Sequence, residues 1–429
     1  MRQGQNRARR DRVMNEDPLR IAVVSPFLDK RHGTERCVAE QVERLAGKYG
    51  YEVHLYCQRV EDIEGVERFR PGEGRRAGRI VWHRITDAPG PHLVKYLWWY
   101  YANQRERRRD SARGVKYDAV YSPGINCRDA DAITVHIVFR ELYERVGEEL
   151  GLGNLPLRAW PRAVHRKLYY ALIRALERRI YTNPRVQLAA VSGLTAREVK
   201  EHFGRKDVRV ILNAVDQDRF NPSVRLSRRG EARRRFRYPD GDFVLLLMGN
   251  DWKKKGLDTL LEAVAMCSEL PLRVLVAGRD DRGPYEAAIA RLGLAGRVQF
   301  AEPSGDVVPF FAAADAYVGP SLHDSFALPP AEAMACGLPV VTSVMNGGAE
   351  VIVDGTDGFV LQDPRDPVEL AAVLRKLFAR GELRWQVGEK AARKAKQFGW
   401  DRNAQETHEL LQEALRRKRA VAGVGAPQS

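Results

Sequence analysis

The stretch FVLLLMGNDWKKKGLDTLLEAVAMCSELPLRVLVAG (residues 243–278) decides the fold prediction for the second half of the chain. It begins and ends with a short apolar run that is closed by a glycine, and an amphipathic segment lies between the two runs. Short apolar runs of this kind predict buried strands, and the segment between them predicts a helix. The stretch is therefore predicted to be a strand–helix–strand unit of a parallel sheet covered by helices.

The same alternation recurs in both halves of the chain. Further strands of the second half are predicted at residues 297–301, 316–319, 339–343 and 358–361. Strands of the first half are predicted at residues 21–27, 52–57, 80–85, 117–122, 132–136, 187–192 and 208–212. A basic, arginine-rich linker near residues 216–240 separates the two series, so two doubly wound domains explain the order better than one large sheet.

The predicted domains are two Rossmann-like units, over residues 20–216 and 217–400. The remaining segments are predicted to be a disordered basic arm (1–19), a helix that packs back towards the N-terminal domain (401–418) and a disordered tail (419–429). Ligands of doubly wound sheets bind at the carboxyl ends of the strands. We therefore expect the two domains to face a central cleft that holds the binding site.

Composition narrows the class of protein. The 429 residues are 44% hydrophobic and 30% charged, which is typical of a soluble globular protein. No apolar run approaches the roughly 18 residues of a membrane span, and no N-terminal segment has the apolar middle of a signal peptide, so we expect a cytoplasmic protein. The five cysteines are scattered and odd in number, which predicts reduced structural thiols without a metal motif.

The net charge of +15 predicts an anionic partner, and nucleic acid, an anionic membrane surface and phosphorylated substrates all fit. Residues 157–209 carry 13 Lys and Arg against 4 Asp and Glu. Aromatic and basic residues mix in KYLWWYYANQRERRR (95–109) and LRAWPRAVHRKLYYALIRALERRIY (157–181). The mixture suits a membrane interface and equally a helix–helix core. Simultaneous charge reversal of Arg105, Arg107 and Arg108 would distinguish a membrane interface from a helix–helix core, because only a membrane interface predicts a loss of liposome binding.

Candidate binding residues lie where predicted strands end. Gly33 follows the first strand and opens a helix, a position that favours a phosphate but also serves as an ordinary turn. In GNDWKKKG (249–256), Lys254 and Lys255 lie nearest a helix start and suit a diphosphate. His136 ends a strand at the expected binding edge. The dinucleotide fingerprint GxGxxG is absent, which argues against an NAD-dependent dehydrogenase.

Two carboxylates flank a Pro-Pro step in HDSFALPPAEAMACGLPVV (323–341). Pro329 and Pro330 predict a helix start, which places Glu332 in the first turn, where the helix dipole favours a carboxylate. Asp324 precedes this helix in a loop whose small residues let backbone amides approach a ligand. Ordinary helix capping also explains both acids.

Taken together, these motifs resemble the retaining glycosyltransferases of family 4, which have the two-domain GT-B fold and use nucleotide-activated sugars. DSFALPPAEAMACGLPVV is similar to that family's pair of acids with seven residues between them. MNGGAEVIVDGTDGFVL (345–361) matches the segment that follows, and QLAAVSGLTAREV (187–199) and VILNAVDQDRFNP (210–222) match the end of the N-terminal domain. The motif GNDWKKKG most resembles the lipopolysaccharide-core glucosyltransferases.

The resemblance implies a role for each matching residue. Glu332 would hold the ribose hydroxyls of the donor, Asp324 would lie near the transferred sugar, and His136 would lie beside the reacting anomeric centre. Lys255 and the backbone of Gly33 would contact the diphosphate. The implied catalytic residues are His136, Asp324 and Lys255, and the implied donor-binding residues are Gly33, Asn250, Lys254, Lys255, Phe326, Ala327, Leu328 and Glu332. Members of the family need no metal and retain the anomeric configuration, because the departing diphosphate assists attack on the same face.

Two positions depart from the family pattern. Asn250 stands where many members have an arginine, so Lys254 is expected to supply the second cation. Asp324 replaces the commoner glutamate and reaches about 1.3 Å less far, a difference that bears on sugar specificity.

The expected function is transfer of a hexose-type sugar from a UDP- or GDP-linked donor, with no other cofactor, to a glycan or glycolipid in cell-envelope polysaccharide or lipopolysaccharide biosynthesis. The basic first half is expected to serve the acceptor, and peripheral attachment to the inner membrane face stays open. An alternative is a GT-B-like sugar-nucleotide epimerase. A nucleic-acid-binding protein is indicated only by the pI of 9.7, and no nucleic-acid module is recognised, so no nucleic-acid partner is expected.

Overall fold

The computed structural model describes residues 17–70, 72–146 and 160–421. Most of the predicted basic arm and of the predicted tail lies outside these residues, as does the start of the basic segment at residue 157. The described chain is a mixed α/β structure, as predicted.

Strands and helices alternate along both halves of the chain. The strands are β1 Arg20–Val24, β2 Phe27–Leu28, β3 Glu52–Cys57, β4 Arg59–Val60, β5 Val66–Arg68, β6 Ile80–Arg84, β7 Ala119–Pro123, β8 Ala132–Val135, β9 Gln187–Ala190, β10 Val208–Val210, β11 Phe243–Met248, β12 Leu272–Ala277, β13 Val298–Ala301, β14 Ala316–Val318, β15 Val340–Ser343 and β16 Phe359–Leu361. The helices are α1 Gly33–Gly47, α2 His92–Ala112, α3 Phe139–Val146, α4 Trp160–Tyr181, α5 Gly193–Phe203, α6 Pro222–Phe236, α7 Leu257–Met266, α8 Gly283–Arg291, α9 Val308–Ala313, α10 Leu328–Ala335, α11 Pro367–Ala379, α12 Gly381–Ala395 and α13 Trp400–Val421. A 3₁₀ helix spans Gly347–Val351.

The chain forms two compact units whose ranges interleave along the sequence. The second unit consists of residues 190–197 and 210–403. The first unit consists of the described residues before 190, residues 198–209, and the chain from residue 404.

The first unit is built on an eight-stranded sheet with the order β10-β9-β8-β7-β1-β3-β6-β5. Strand β1 pairs in parallel with both β3 and β7, so the strand order reverses beside β1. The short edge strand β5, which pairs in parallel with β6, was not predicted. Its sequence is Val-Glu-Arg, and an exposed edge strand of three residues carries too little apolar pattern to be recognised.

The second unit is built on a six-stranded sheet with the order β13-β12-β11-β14-β15-β16, and its strand pairs are parallel. Alternate residues of β11 enter two different buried clusters. Val244 and Leu246 belong to the cluster that includes residues of α6, α9, α10 and α12, whereas Leu245 and Leu247 belong to the cluster that includes residues of α7 and α11. Helices therefore cover both faces of the sheet, which confirms the doubly wound prediction for this unit.

Helix α13 starts in the second unit and continues in the first. Its apolar residues Leu410, Leu411 and Leu415 are buried. In the first unit, Tyr51 Oη lies 3.0 Å from His408 Nδ1 of this helix. The helix runs three residues beyond the predicted end at 418.

Helix α2 contains the aromatic and basic stretch of residues 95–109, and only part of that stretch is exposed. Trp99 and Tyr100 are buried, and the buried Arg107 donates to both carboxylate oxygens of Asp129 at 2.7 and 2.8 Å. The inclusion of Arg107 in a basic surface was therefore wrong, because its charge is neutralised inside the unit. None of the described helices combines the length and the apolar character that a bilayer span requires.

Candidate functional site

The loops that follow β11 and β14 form the centre of the candidate site in the second unit. These two strands are adjacent and parallel, but the chain continues from them towards opposite edges of the sheet. A parallel sheet opens a crevice at the carboxyl ends of such a strand pair. The lysines of the first loop and the acid of the second loop are therefore brought to the same place.

Lys255 and Asp324 form an ion pair across this strand pair, between Lys255 Nζ and Asp324 Oδ2. Their side chains are only 14% and 16% exposed. Burial by itself raises the pKa of the Asp324 carboxyl, but the charges of Lys255 and Lys254 outweigh it and hold the pKa below its usual value. The Asp324 carboxyl is thus ionised at neutral pH and faces the Lys255 ammonium group at the strand ends.

Two glycines shape the lysine loop. Gly249 has φ = +135°, and a Cβ placed there would lie 2.9 Å from Lys255 Cε, so the aliphatic part of the lysine passes over a residue without a side chain. Gly256, the N-cap of α7, has φ = +81°, and its Cβ would lie 2.1 Å from the carbonyl oxygen of Pro320. The close approach of the two loops therefore requires glycine at position 256, and the positive φ favours glycine at position 249.

Trp252 anchors the same loop and was not predicted as a site residue. Its ring is fully buried and stacks on Phe300 at a centroid distance of 4.9 Å, and its backbone N–H donates to Asp280 Oδ2 at 2.7 Å. A tryptophan inside a lysine-rich loop is the signal that sequence reasoning passed over.

Asn250 and Lys254 occupy different environments in this loop. The exposed Asn250 accepts the backbone N–H of Arg279 at 2.9 Å through Oδ1, so it links the ends of β11 and β12. The carbonyl of Lys254 accepts the N–H of Leu322 at 2.8 Å, and its charge is among the causes that lower the pKa of Asp324. Lys254, which was predicted to be the second cation, therefore lies near the ion pair.

Helix α10 carries Glu332, but not in its first turn. The helix begins at Leu328, so Glu332 is its fifth residue, and its side chain is buried. The first-turn prediction was wrong because the chain is already helical before Pro329, and the dipole effect is concentrated in the first turn. Pro329 and Pro330 lack an N–H, so the helix start presents fewer donors than an ordinary N-terminus.

The backbone before α10 is also partly occupied. The N–H of the buried Ala327 donates to Asn346 Oδ1 at 3.1 Å and is not free for a ligand. Phe326 is buried and Leu328 is half-buried, and their N–H groups have no partner among the described residues. Asn346 was not singled out from the sequence, although an Asn before Gly-Gly is a turn and cap signal.

The other two predicted residues lie in the first unit. Gly33 is the exposed first residue of α1, and the N–H groups of the two residues before it, Arg31 and His32, donate to Asp29 Oδ1 at 2.7 and 2.9 Å. His136 directly follows β8 and is buried, and its Nε2 has no hydrogen-bond partner among the described residues. Burial lowers the pKa of His136 to about 4, so the imidazole is neutral at physiological pH.

One group of side chains in the first unit, apart from the predicted site residues, has ligand atoms close enough together to hold a metal ion. Glu141, Glu144 and His202 each offer a ligand atom, and these atoms lie within 4.8 Å of one another. His202 Nε2 lies 2.8 Å from a Glu141 oxygen, and Arg140 lies 3.2 Å from Glu144, so ordinary ion pairs account for the group.

Comparison with known proteins covers most of the chain. The model of the family described as Glycosyltransferase Family 4 matches residues 31–219, and that of Glycosyl transferases group 1 matches residues 228–394. The D-inositol 3-phosphate glycosyltransferase of Geodermatophilus obscurus is 36% identical over 232 residues, which is 50% of each chain. The enzyme of the same name from Thermomonospora curvata is 35% identical over 237 residues, 50% of this chain and 54% of the other. The chain thus spans about half the length of the curated relatives it matches.

Solved structures show the fold over a longer range. WaaG, a glycosyltransferase involved in lipopolysaccharide biosynthesis, superposes with a TM-score of 0.72 at 21% identity over 91% of this chain and 99% of its own. Anabaena HepE in complex with UDP and glucose superposes with a TM-score of 0.65 at 18% identity over 92% of this chain and 100% of its own. The two family models and the GT-B fold agree, and the chain belongs to the family 4 glycosyltransferases.

Proposed function

We propose that the protein is a metal-independent, retaining glycosyltransferase that moves a hexose from a UDP- or GDP-linked donor to a glycan or glycolipid acceptor. The observation that carries the proposal is the Lys255–Asp324 ion pair at the point where the strand order of the second sheet reverses. This pair brings one cation and one carboxylate together at the carboxyl ends of two parallel strands.

The proposed chemistry uses Lys255 and Lys254 as the cations for the donor diphosphate. As the bond between the anomeric carbon and the diphosphate oxygen breaks, negative charge develops on the diphosphate, and fixed cations stabilise that charge. The acceptor oxygen bonds to the same carbon, and its proton passes to the departing diphosphate. Glu332 would bind the ribose hydroxyls, Asp324 would orient the hexose, and the neutral His136 would offer a hydrogen bond near the anomeric centre.

A ligand panel tests the donor. UDP, GDP, ADP and their glucose and mannose conjugates are compared by thermal shift, because a bound ligand stabilises the folded state by about 2.7 kcal/mol at 100 times its dissociation constant. UDP-glucose is the first choice, since HepE, which shares the fold, binds it. We expect one nucleotide to raise the melting temperature, and Glu332→Ala to remove that shift. No shift with any nucleotide would contradict the proposal.

A product assay tests the reaction type. With the donor identified, transfer should persist in excess EDTA, and NMR of the product should show the same anomeric configuration as the donor. Loss of transfer in EDTA would contradict metal independence, and an inverted product would contradict retention. Turnover of the donor without an acceptor, with release of a free altered sugar, would favour the epimerase alternative.

The proposed acceptor surface lies in the first unit. A groove of about 790 Å³ runs beside α2, and its lining includes Arg84, Trp98, Tyr101, Arg105 and Arg108. Among the described residues these three arginines make no ion pair, and both aromatic rings are exposed. Arginine beside exposed aromatic rings suits a phosphate-bearing glycolipid at a membrane surface. We therefore include peripheral attachment to an anionic membrane in the proposal.

Vesicle sedimentation tests this attachment. The protein should bind vesicles that contain about one-third anionic lipid, and Arg105→Glu with Arg108→Glu should abolish binding while the melting temperature stays unchanged. A control pair, Arg234→Glu with Arg365→Glu, makes the same change in net charge at exposed positions elsewhere. Equal loss in both double variants would indicate non-specific attraction, and no binding by the unaltered protein would end the membrane proposal.

A further inference from the structure

Asn346 joins the two segments that carry the candidate sugar site. It lies three residues after β15 as the N-cap of the 3₁₀ helix, and its side chain is buried. Its Oδ1 accepts from two backbone N–H groups, that of Gly348 at 3.0 Å and that of Ala327 at 3.1 Å. Its Nδ2 donates to Thr342 Oγ1 at 3.1 Å. One side chain thus caps its own turn and holds the residue that precedes α10.

The backbone around Asn346 holds Asp324 in the same way. The N–H of Asp324 donates to the carbonyl of Met345 at 2.9 Å, and the N–H of Gly347 donates to the carbonyl of Asp324 at 2.8 Å. A Cβ at Gly347 would lie 2.0 Å from the carbonyl oxygen of Ser325, so the two segments are in direct backbone contact. Residues 345–348 therefore fix the backbone position of residues 324–327.

Thr342 fixes the orientation of the Asn346 amide. Its hydroxyl accepts from Asn346 Nδ2 and donates to the carbonyl of Gly319 at 3.1 Å, just after β14. With the amide nitrogen committed to Thr342, the oxygen must face the two N–H groups. The position of Asn346 is thus set by the same strands, β14 and β15, that position the Asp324 loop.

We propose that Asn346 is a positioning residue for the donor site, which sets the distance between the Asp324 carboxylate and the start of the helix that carries Glu332. The inference rests on the proposed function, because a nucleotide sugar would use both acids at once. Without the Asn346 oxygen, the buried N–H groups of Ala327 and Gly348 lose their acceptor, and the loop must move to satisfy them.

Three variants test the inference. Asn346→Leu keeps the approximate volume and removes the acceptor, whereas Asn346→Asp keeps an acceptor oxygen. Asn221→Leu is the matched control, because Asn221 Oδ1 caps α6 through the N–H of Val224 at 2.9 Å and lies outside the candidate site. Amide hydrogen exchange of residues 324–332 and the dissociation constant of the nucleotide sugar are measured for each variant.

For Asn346→Leu we expect exchange at Ala327 to accelerate at least tenfold and donor binding to weaken by about tenfold or more. Asn346→Asp should keep most of the slow exchange at Ala327 and most of the donor affinity. Asn221→Leu should lower only the melting temperature. Unchanged exchange at Ala327 overturns the inference, as does faster exchange with unchanged donor affinity. If the unaltered protein binds no nucleotide, the proposed function fails, and the exchange rates alone still decide whether Asn346 holds this loop.

Discussion

At the scale of single residues, Lys255 is the side chain with the sharpest expected effect. Lys255→Ala should lower the turnover number by about 100-fold or more, because a fixed cation at the developing charge of the diphosphate is lost. Lys253→Ala, an exposed neighbour in the same loop, should change turnover less than twofold. Steady-state kinetics with the identified donor measure both. Turnover at the normal rate in Lys255→Ala would show that another group is the diphosphate cation.

His136 should make the stability of the first unit depend on pH. Burial lowers its pKa to about 4, against 6.5 for an ordinary histidine. Between these values the unfolded chain takes up a proton that the folded chain excludes, so the free energy of unfolding falls as pH drops from 6.5 to 4, by roughly 3 kcal/mol in all. Above pH 6.5 this contribution is fully present.

NMR of the His136 imidazole checks the expected pH dependence. Its signals should not titrate above pH 5, and His136→Gln should flatten the corresponding part of the stability profile. A titration midpoint near 6.5 would contradict the burial of this group.

At the scale of elements, the start of α7 depends on Gly256. Gly256→Ala should destabilise the second unit by more than about 2 kcal/mol, because the new Cβ would meet a carbonyl oxygen of the neighbouring loop at 2.1 Å. Gly355→Ala is the matched control, since its φ of +70° is similar but nothing lies within 4 Å of the Cβ. It should cost only about 1 kcal/mol. Chemical denaturation that gave equal losses would contradict the close approach of the loops.

At the scale of the whole molecule, the chain passes back from the second unit to the first through α13. A chain ending at Asn403 would lose the buried Leu410, Leu411 and Leu415, each contributing roughly 1.5–3 kcal/mol. Hydrogen exchange should then accelerate in β1 and β3 but not in β11 and β12. A chain ending at Val421 keeps every described contact and should exchange normally. Equal acceleration in both sheets would contradict the division into two units.

Local patterns in the sequence predicted the longer strands, the doubly wound sheet and the approximate place of the candidate site. An apolar run such as that of β11 is recognisable because burial on both faces leaves no polar position in it. The placement of Lys255 where a strand ends also followed, since parallel strands bring their carboxyl ends to one edge, whereas its ion pair with Asp324 was not predicted. These inferences depend only on residues near one another in the chain or on a general rule of sheets.

The tertiary structure alone decided which groups remain available. Arg107 belongs to a basic run in the sequence, but it is buried, and its partner Asp129, 22 residues away, neutralises its charge. Ala327 offers an N–H to a ligand by sequence, but Asn346, 19 residues further on, takes it. A hydrogen bond or an ion pair between distant residues leaves no periodic signal, because its geometry is fixed by the packing of several elements at once. The sequence thus determined where the candidate site lies, and the folded chain decided which of its atoms are already used in hydrogen bonds or ion pairs.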